Sequence, residues 1–343
     1  MASRVSRFFV LTLGVVGAAA LADHAGVAQA ADPEGSGVDC VVKGRGVVDK
    51  TVSIFTDRTG GSAVASFATQ EVSLEVYDFP AASSGRARVR TGKGSGSLRI
   101  EGFVDAAKLP LAARNDLPLA SDHVWIGKGQ PVRLEGASKG SLAVGTTLAA
   151  TQQKLHAKAA CSAVAIGAVL GDDLGPPASA KKWLLKSTTL DLYGDPSGAI
   201  VFTLQVPYAE SGILLYSTES QSIFQHVRHW GPIVIDAWAK TSELKPLPKG
   251  EMIDELAGPG AITINPAKLK VEGGVKELKA PKSLPVRLAA NDAAKPIGTL
   301  EDGAEVLVLD TVAGWSRIYP KGLELLPPEG KDFWVKAADL GVK

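Results

Sequence analysis

An all-β chain assembled from small five-stranded barrels is the fold class this sequence predicts, on three observations. Strand-like alternation of apolar and polar residues recurs along most of the chain, while helical periodicity is confined to short stretches such as 251–257. Glycine (37) and proline (20) supply about one residue in six of the 343, a surplus that implies many turns and short strands. Similar blocks recur at intervals of about 55–60 residues, far too short for α/β units. Apolar residues at 45% and charged ones at 21% exclude wholesale disorder. With 37 basic against 36 acidic residues, the chain lacks the excess of positive charge that a nucleic-acid partner would call for.

The first element is an export signal, residues 1–30. Arg4 and Arg7 make a positive start, Phe8 to Ala22 an apolar run, and Ala28-Gln29-Ala30 the small-residue pattern that predicts cleavage between Ala30 and Ala31. The apolar run is shorter than the roughly 20 residues that span a bilayer, and no later segment reaches that length, so no membrane span is expected in the mature chain. Removal of the leader takes Arg4, Arg7 and Asp23 with it and leaves a net charge of zero. A periplasmic or secreted location follows. The two cysteines, Cys40 and Cys161, both lie in the exported part, where an oxidising compartment favours a disulfide between them; two separate buried thiols are the alternative.

The repeats come next. The blocks 38–110, 187–245 and 284–341 start alike, at Val52-Ser-Ile-Phe55, Leu190-Asp-Leu-Tyr193 and Leu284-Pro-Val-Arg287, each followed by a polar turn. They end alike too: 99–109, 233–244 and 332–340 each carry an aromatic residue, strand residues and a short polar turn closed by leucine. A weaker copy is expected over 113–170. The Pro/Gly/Lys-rich stretches 171–186 and 246–283 read as linkers. Within the last block, Val306-Leu-Val-Leu-Asp310 alternates as a barrel strand does. Gly303 and Gly314 stand where tight turns need a positive φ, and of the neighbours Phe333 and Trp334 one must point into the core and the other out.

Residues 284–340 resemble a bacterial SH3 (SH3b-type) domain. The resemblance rests on Leu284-Pro-Val-Arg287, Ile297-Gly-Thr-Leu300, Gly303 and Val306, Gly314-Trp-Ser-Arg-Ile318, Trp334-Val335 and Leu340. Asn291-Asp292 stands where the family often has a Gly-Pro-Ser turn, and residues 319–331 form a longer loop than usual. The earlier blocks share the starts and ends. The resemblance implies three or four tandem SH3-like barrels joined by Pro/Gly-rich linkers. It also implies a non-enzymatic envelope module that binds peptidoglycan or a peptide, or else contacts an envelope protein. Trp315, Tyr319, Trp334 and Trp230 are the expected ligand-binding residues, since Trp and Tyr offer rigid contact area with a polar handle.

No catalytic residue, metal site or cofactor is expected. His226 and His229 are three apart in a strand and so face opposite ways, a poor geometry for sharing a metal. SH3b domains often accompany wall-cleaving cysteine peptidases, and Asp39-Cys40, Cys161-Ser162 and His123-Val-Trp-Ile126 each resemble part of their motifs. Cys40, however, leads into a strand-and-turn sequence with no helix to lower its thiol pKa, and Cys161 follows His123 in the wrong order.

Overall fold

The computed structural model describes residues 37–47, 52–67, 71–92, 98–119, 122–149, 151–169, 175–210, 213–247, 275–322 and 325–342. The expected leader with its Ala30–Ala31 junction, the stretch 251–257 where helical periodicity is expected and most of the expected 246–283 linker lie outside them. The chain is all-β: among the described residues there is no α-helix, only three single 3-10 turns, Ala106–Lys108, Cys161–Ala163 and Thr241–Glu243.

One order of elements recurs four times, over residues 38–109, 111–166, 181–246 and 276–340, here units 1 to 4. Each has an opening strand, a short hairpin, a three-stranded meander and a closing turn. Unit 3 shows it whole. Its opening strand Lys181–Leu185 lies between the first meander strand Leu215–Gln221 and the closing strand Leu244–Pro246; the last meander strand Ile233–Lys240 pairs with the hairpin Thr189–Tyr193/Ile200–Gln205. Each unit ends on a tight turn followed by an apolar residue that drops into the core: Leu109, Val164, Leu244 and Leu340 are all buried. The recurrent leucine after a polar turn is therefore a packing residue. Lys276–Lys279, within the expected linker, is the opening strand of unit 4 and pairs with Glu305–Val312. Gly303 (φ 76°) and Gly314 (φ 81°) adopt the left-handed conformation their turns require. Val306, Val308 and Phe333 are buried, with Trp334 half-buried on the other face.

The three sheets are open, and none closes into a barrel. The reason lies in where the hairpins pair. The unit 2 strand Val124–Ile126 pairs with unit 3, Ile126 opposite Ile233, and the unit 4 strand Gly298–Leu300 pairs with unit 1, Gly298 opposite Ile100. Leu325–Leu326 of unit 4 also adds to Ala63–Phe67 of unit 1. Units 1 and 2 meet at Gly44 beside Ile166 and through the Cys40–Cys161 disulfide, whose Cα atoms are 5.5 Å apart. Each joint has a glycine at the closest approach: a Cβ on Gly44, Gly127 or Gly298 would collide with the carbonyl oxygen of Ile166, Gly231 or Arg99 respectively. The outer edge of the unit 3 sheet is covered from unit 2. The Gln153 side chain donates to Thr203 O (3.0 Å) and accepts from Gln205 N (3.2 Å), as a strand residue would.

A candidate binding groove between units 2 and 3

The meander of unit 2 is amphipathic in the period of a strand. Val132, Leu134, Leu142, Val144, Leu155 and Ala157 point inward and are buried, so Pro131, Arg133, Glu135, Thr147, Lys154 and His156 project from the opposite face. That face is the floor of a groove of about 870 Å³. Its far wall comes from unit 3 (Ile213, Leu214 and His229 to Ile233), and Ser83 and Ala107 of unit 1 complete the rim. The size falls within the range of small-molecule and peptide sites.

The charges on the floor divide into a bound pair and a free pair. Glu135 Oε1 lies 2.7 Å from His156 Nδ1, reaching it over Gly145 of the intervening strand. Arg133 and Lys154 are exposed and have no hydrogen-bond or ion-pair partner among the described residues. On the wall, His229 Nδ1 donates to Leu214 O at 2.9 Å, which helps to fix the ring. Trp230 is half-buried, its ring tilted against Tyr216 at 6.2 Å. It also lines a second, smaller cavity of about 290 Å³ with Asp116, Trp125, Arg228 and Asp236. There Asp236 Oδ1 takes His226 Nε2 (2.6 Å) and Arg228 Nε (3.3 Å), with the His226 ring stacked on Trp238. His226 and His229 thus engage different partners on opposite faces of their strand.

Of the aromatic residues expected to bind, Trp230 alone stands in this groove. Trp315, Tyr319 and Trp334 share the unit 4 sheet. Trp315 is 6% exposed, with Arg287 and Lys336 over its ring at 5.8 and 5.7 Å. Tyr319 is half-buried and donates to Asp332 at 3.4 Å; burial first, then the Asp332 charge, push its hydroxyl pKa above the ordinary tyrosine value. Trp334 exchanges backbone hydrogen bonds with Arg287.

Both cysteine sulfurs are in one disulfide, so neither is a thiolate nucleophile, and His123 Nδ1 donates to Asp236 O at 3.0 Å across the unit 2–unit 3 joint. No group of three or more metal-ligating side chains occurs among the described residues, and no helix there is long and apolar enough to cross a membrane. The disulfide is in keeping with an oxidising compartment.

A second polar surface escaped the sequence reading. Arg86, Arg88 and Arg90 alternate with the buried Ala87 and Val89, so all three guanidinium groups share one face of unit 1. Arg86 sits 3.6 Å over the Phe55 ring, and Arg88 and Arg90 each 5.3 Å from Tyr77. Asp105 faces Arg86 at 3.5 Å; Glu101 holds Arg88 at 2.6 Å and Arg90 at 3.3 Å, and accepts from Tyr77. Burial alone would raise the Glu101 carboxyl, but the Tyr77 hydrogen bond and the two arginines bring it below its ordinary range. The signal was in the sequence, as arginine at every second position of a strand. Because each of these arginines is paired, this surface offers an anion less than the groove does.

No protein-family model, curated protein or solved structure matches the chain.

Proposed function

We propose that this protein is an exported, non-enzymatic binding module of the cell envelope, built from four SH3-like units of which the last is SH3b-type. In this reading it recognises peptidoglycan or a peptide in the groove between units 2 and 3. The observation that carries it is the half-buried Trp230 in the wall of a groove of about 870 Å³ beside two unpaired cations. An aromatic wall with charged groups at hand is how peptide-like ligands are held and oriented. SH3-like identity rests on the recurring element order and on the family residues of 284–340. A contact with an envelope protein is the second reading.

The test is retention of the exported protein by purified peptidoglycan sacculi, with the supernatant assayed for released fragments. Retention without release, lost in Trp230→Ala, supports the wall-binding module. Released fragments would replace it with a hydrolase, and absence of retention would move the weight to a protein partner.

A further inference from the structure

The groove and the smaller cavity meet at one side chain, and their charges are opposite. On the groove side, Arg133 and Lys154 project from the floor without partners among the described residues. The single lining carboxylate, Glu135, is already engaged by His156. On the other side, the balance is reversed. Asp236 is held by Arg228 and His226, while Asp116 has a hydrogen bond from Lys128 N at 2.7 Å but no cationic partner among the described residues. Asp116 shares its cavity with the indoles of Trp125 and Trp230, whose faces attract cations.

We infer that Trp230 is the common wall of a two-pole site, which takes a short peptide carrying a carboxylate at Arg133 and Lys154 and an ammonium group at Asp116, between Trp125 and Trp230. The inference rests on the reading of the groove as the binding site and adds the chemistry of its ligand. Both poles are served by residues at the surface, so the charges attract without a large desolvation cost and select orientation as much as affinity. A ligand with only one charge satisfies one pole and loses the other.

The probes are N-acetylated, C-amidated peptides with one lysine and one aspartate separated by one to four alanines. Matched peptides have the lysine replaced by norleucine or the aspartate by asparagine. Dissociation constants are measured by calorimetry on the exported protein. At the best spacing, each neutralised peptide is expected to bind about tenfold more weakly, the loss typical of one charge-assisted contact. An Arg133→Ala, Lys154→Ala double variant should abolish the dependence on aspartate alone. Asp116→Asn, which keeps the acceptor for Lys128 N, should abolish the dependence on lysine alone. Equal affinity for charged and neutral peptides, or charge dependence that survives in both variants, overturns the two-pole site. Sacculus retention with no charge preference among the peptides would leave the envelope reading standing and this one refuted. Charge-selective binding without sacculus retention would do the reverse.

Discussion

The Glu135 carboxylate reaches His156 Nδ1, 2.7 Å away, only because the residue between them is Gly145, where a Cβ would overlap Glu135 Oε1. Gly145→Ala should therefore swing Glu135 off His156. Both side chains are exposed, so stability should change by less than about 1 kcal/mol in a thermal melt. The His156 ring resonances in an NMR spectrum should move all the same, because the carboxylate beside Nδ1 is gone. A large loss of stability would mean that the pair carries structural weight.

The Cys40–Cys161 bond spans 121 residues. Chain-entropy arguments give a cross-link of that length up to about 4–5 kcal/mol, and measured values are commonly 2–4. The Cys40→Ser, Cys161→Ser pair should lower the midpoint of denaturant unfolding by a corresponding amount. An unchanged midpoint would show that the strand contacts hold units 1 and 2 together without it.

Glu101 is held below its ordinary range, so its contribution to stability is present above the unfolded glutamate pKa and is lost as pH falls through the folded one. Glu101→Gln should destabilise the protein at pH 7 by about 1 kcal/mol, a modest figure because the side chain is partly exposed. The gap between variant and parent should close as the pH drops below about 4. A gap that stays constant with pH would assign the effect to packing alone.

Trp315 and Trp230 should separate fold from binding. Truncating the 6%-exposed Trp315 to alanine leaves a cavity and should cost about 3–5 kcal/mol. Trp230→Ala should cost less in the same melt and show its effect in ligand retention. The opposite pattern would return the binding role to unit 4.

Gly298→Val would press a side chain into Arg99 O at the unit 4–unit 1 joint. The expected loss is about 1–3 kcal/mol, with faster proteolysis in the chain between units 3 and 4. Unchanged protease resistance would mean that the joint yields without parting.

Much of the strand content was legible because it is local: alternation in 306–310, leucines behind polar turns, glycines at Gly303 and Gly314. The pairing between units was not. Val124–Ile126 has three residues, too few to carry a period, and its partner lies more than a hundred residues on. Lys276–Lys279 looked like linker because a charged strand at a sheet edge has little apolar pattern to display. For the same reason the groove was invisible: its floor and wall come from units that only stacking brings together. Trp230 was found as an aromatic near a turn, but nothing in its neighbourhood announced Arg133 or Lys154 as companions. Trp315 has the same chemistry as Trp230, yet Arg287 and Lys336 cover it.

The pairing of Gly298 with Ile100 bears on how the chain is made. The two residues are about 200 positions apart, so when unit 1 has been made, the Leu98–Ile100 end of the strand Leu98–Asp105 still waits for a partner yet to be synthesised, while Phe103 already has Phe55 of its own unit opposite. Such a delay keeps a short adhesive backbone edge open during synthesis. The exposed Arg99 side chain in the middle of that stretch is a charge of the kind that discourages capture of an open edge by a neighbouring chain.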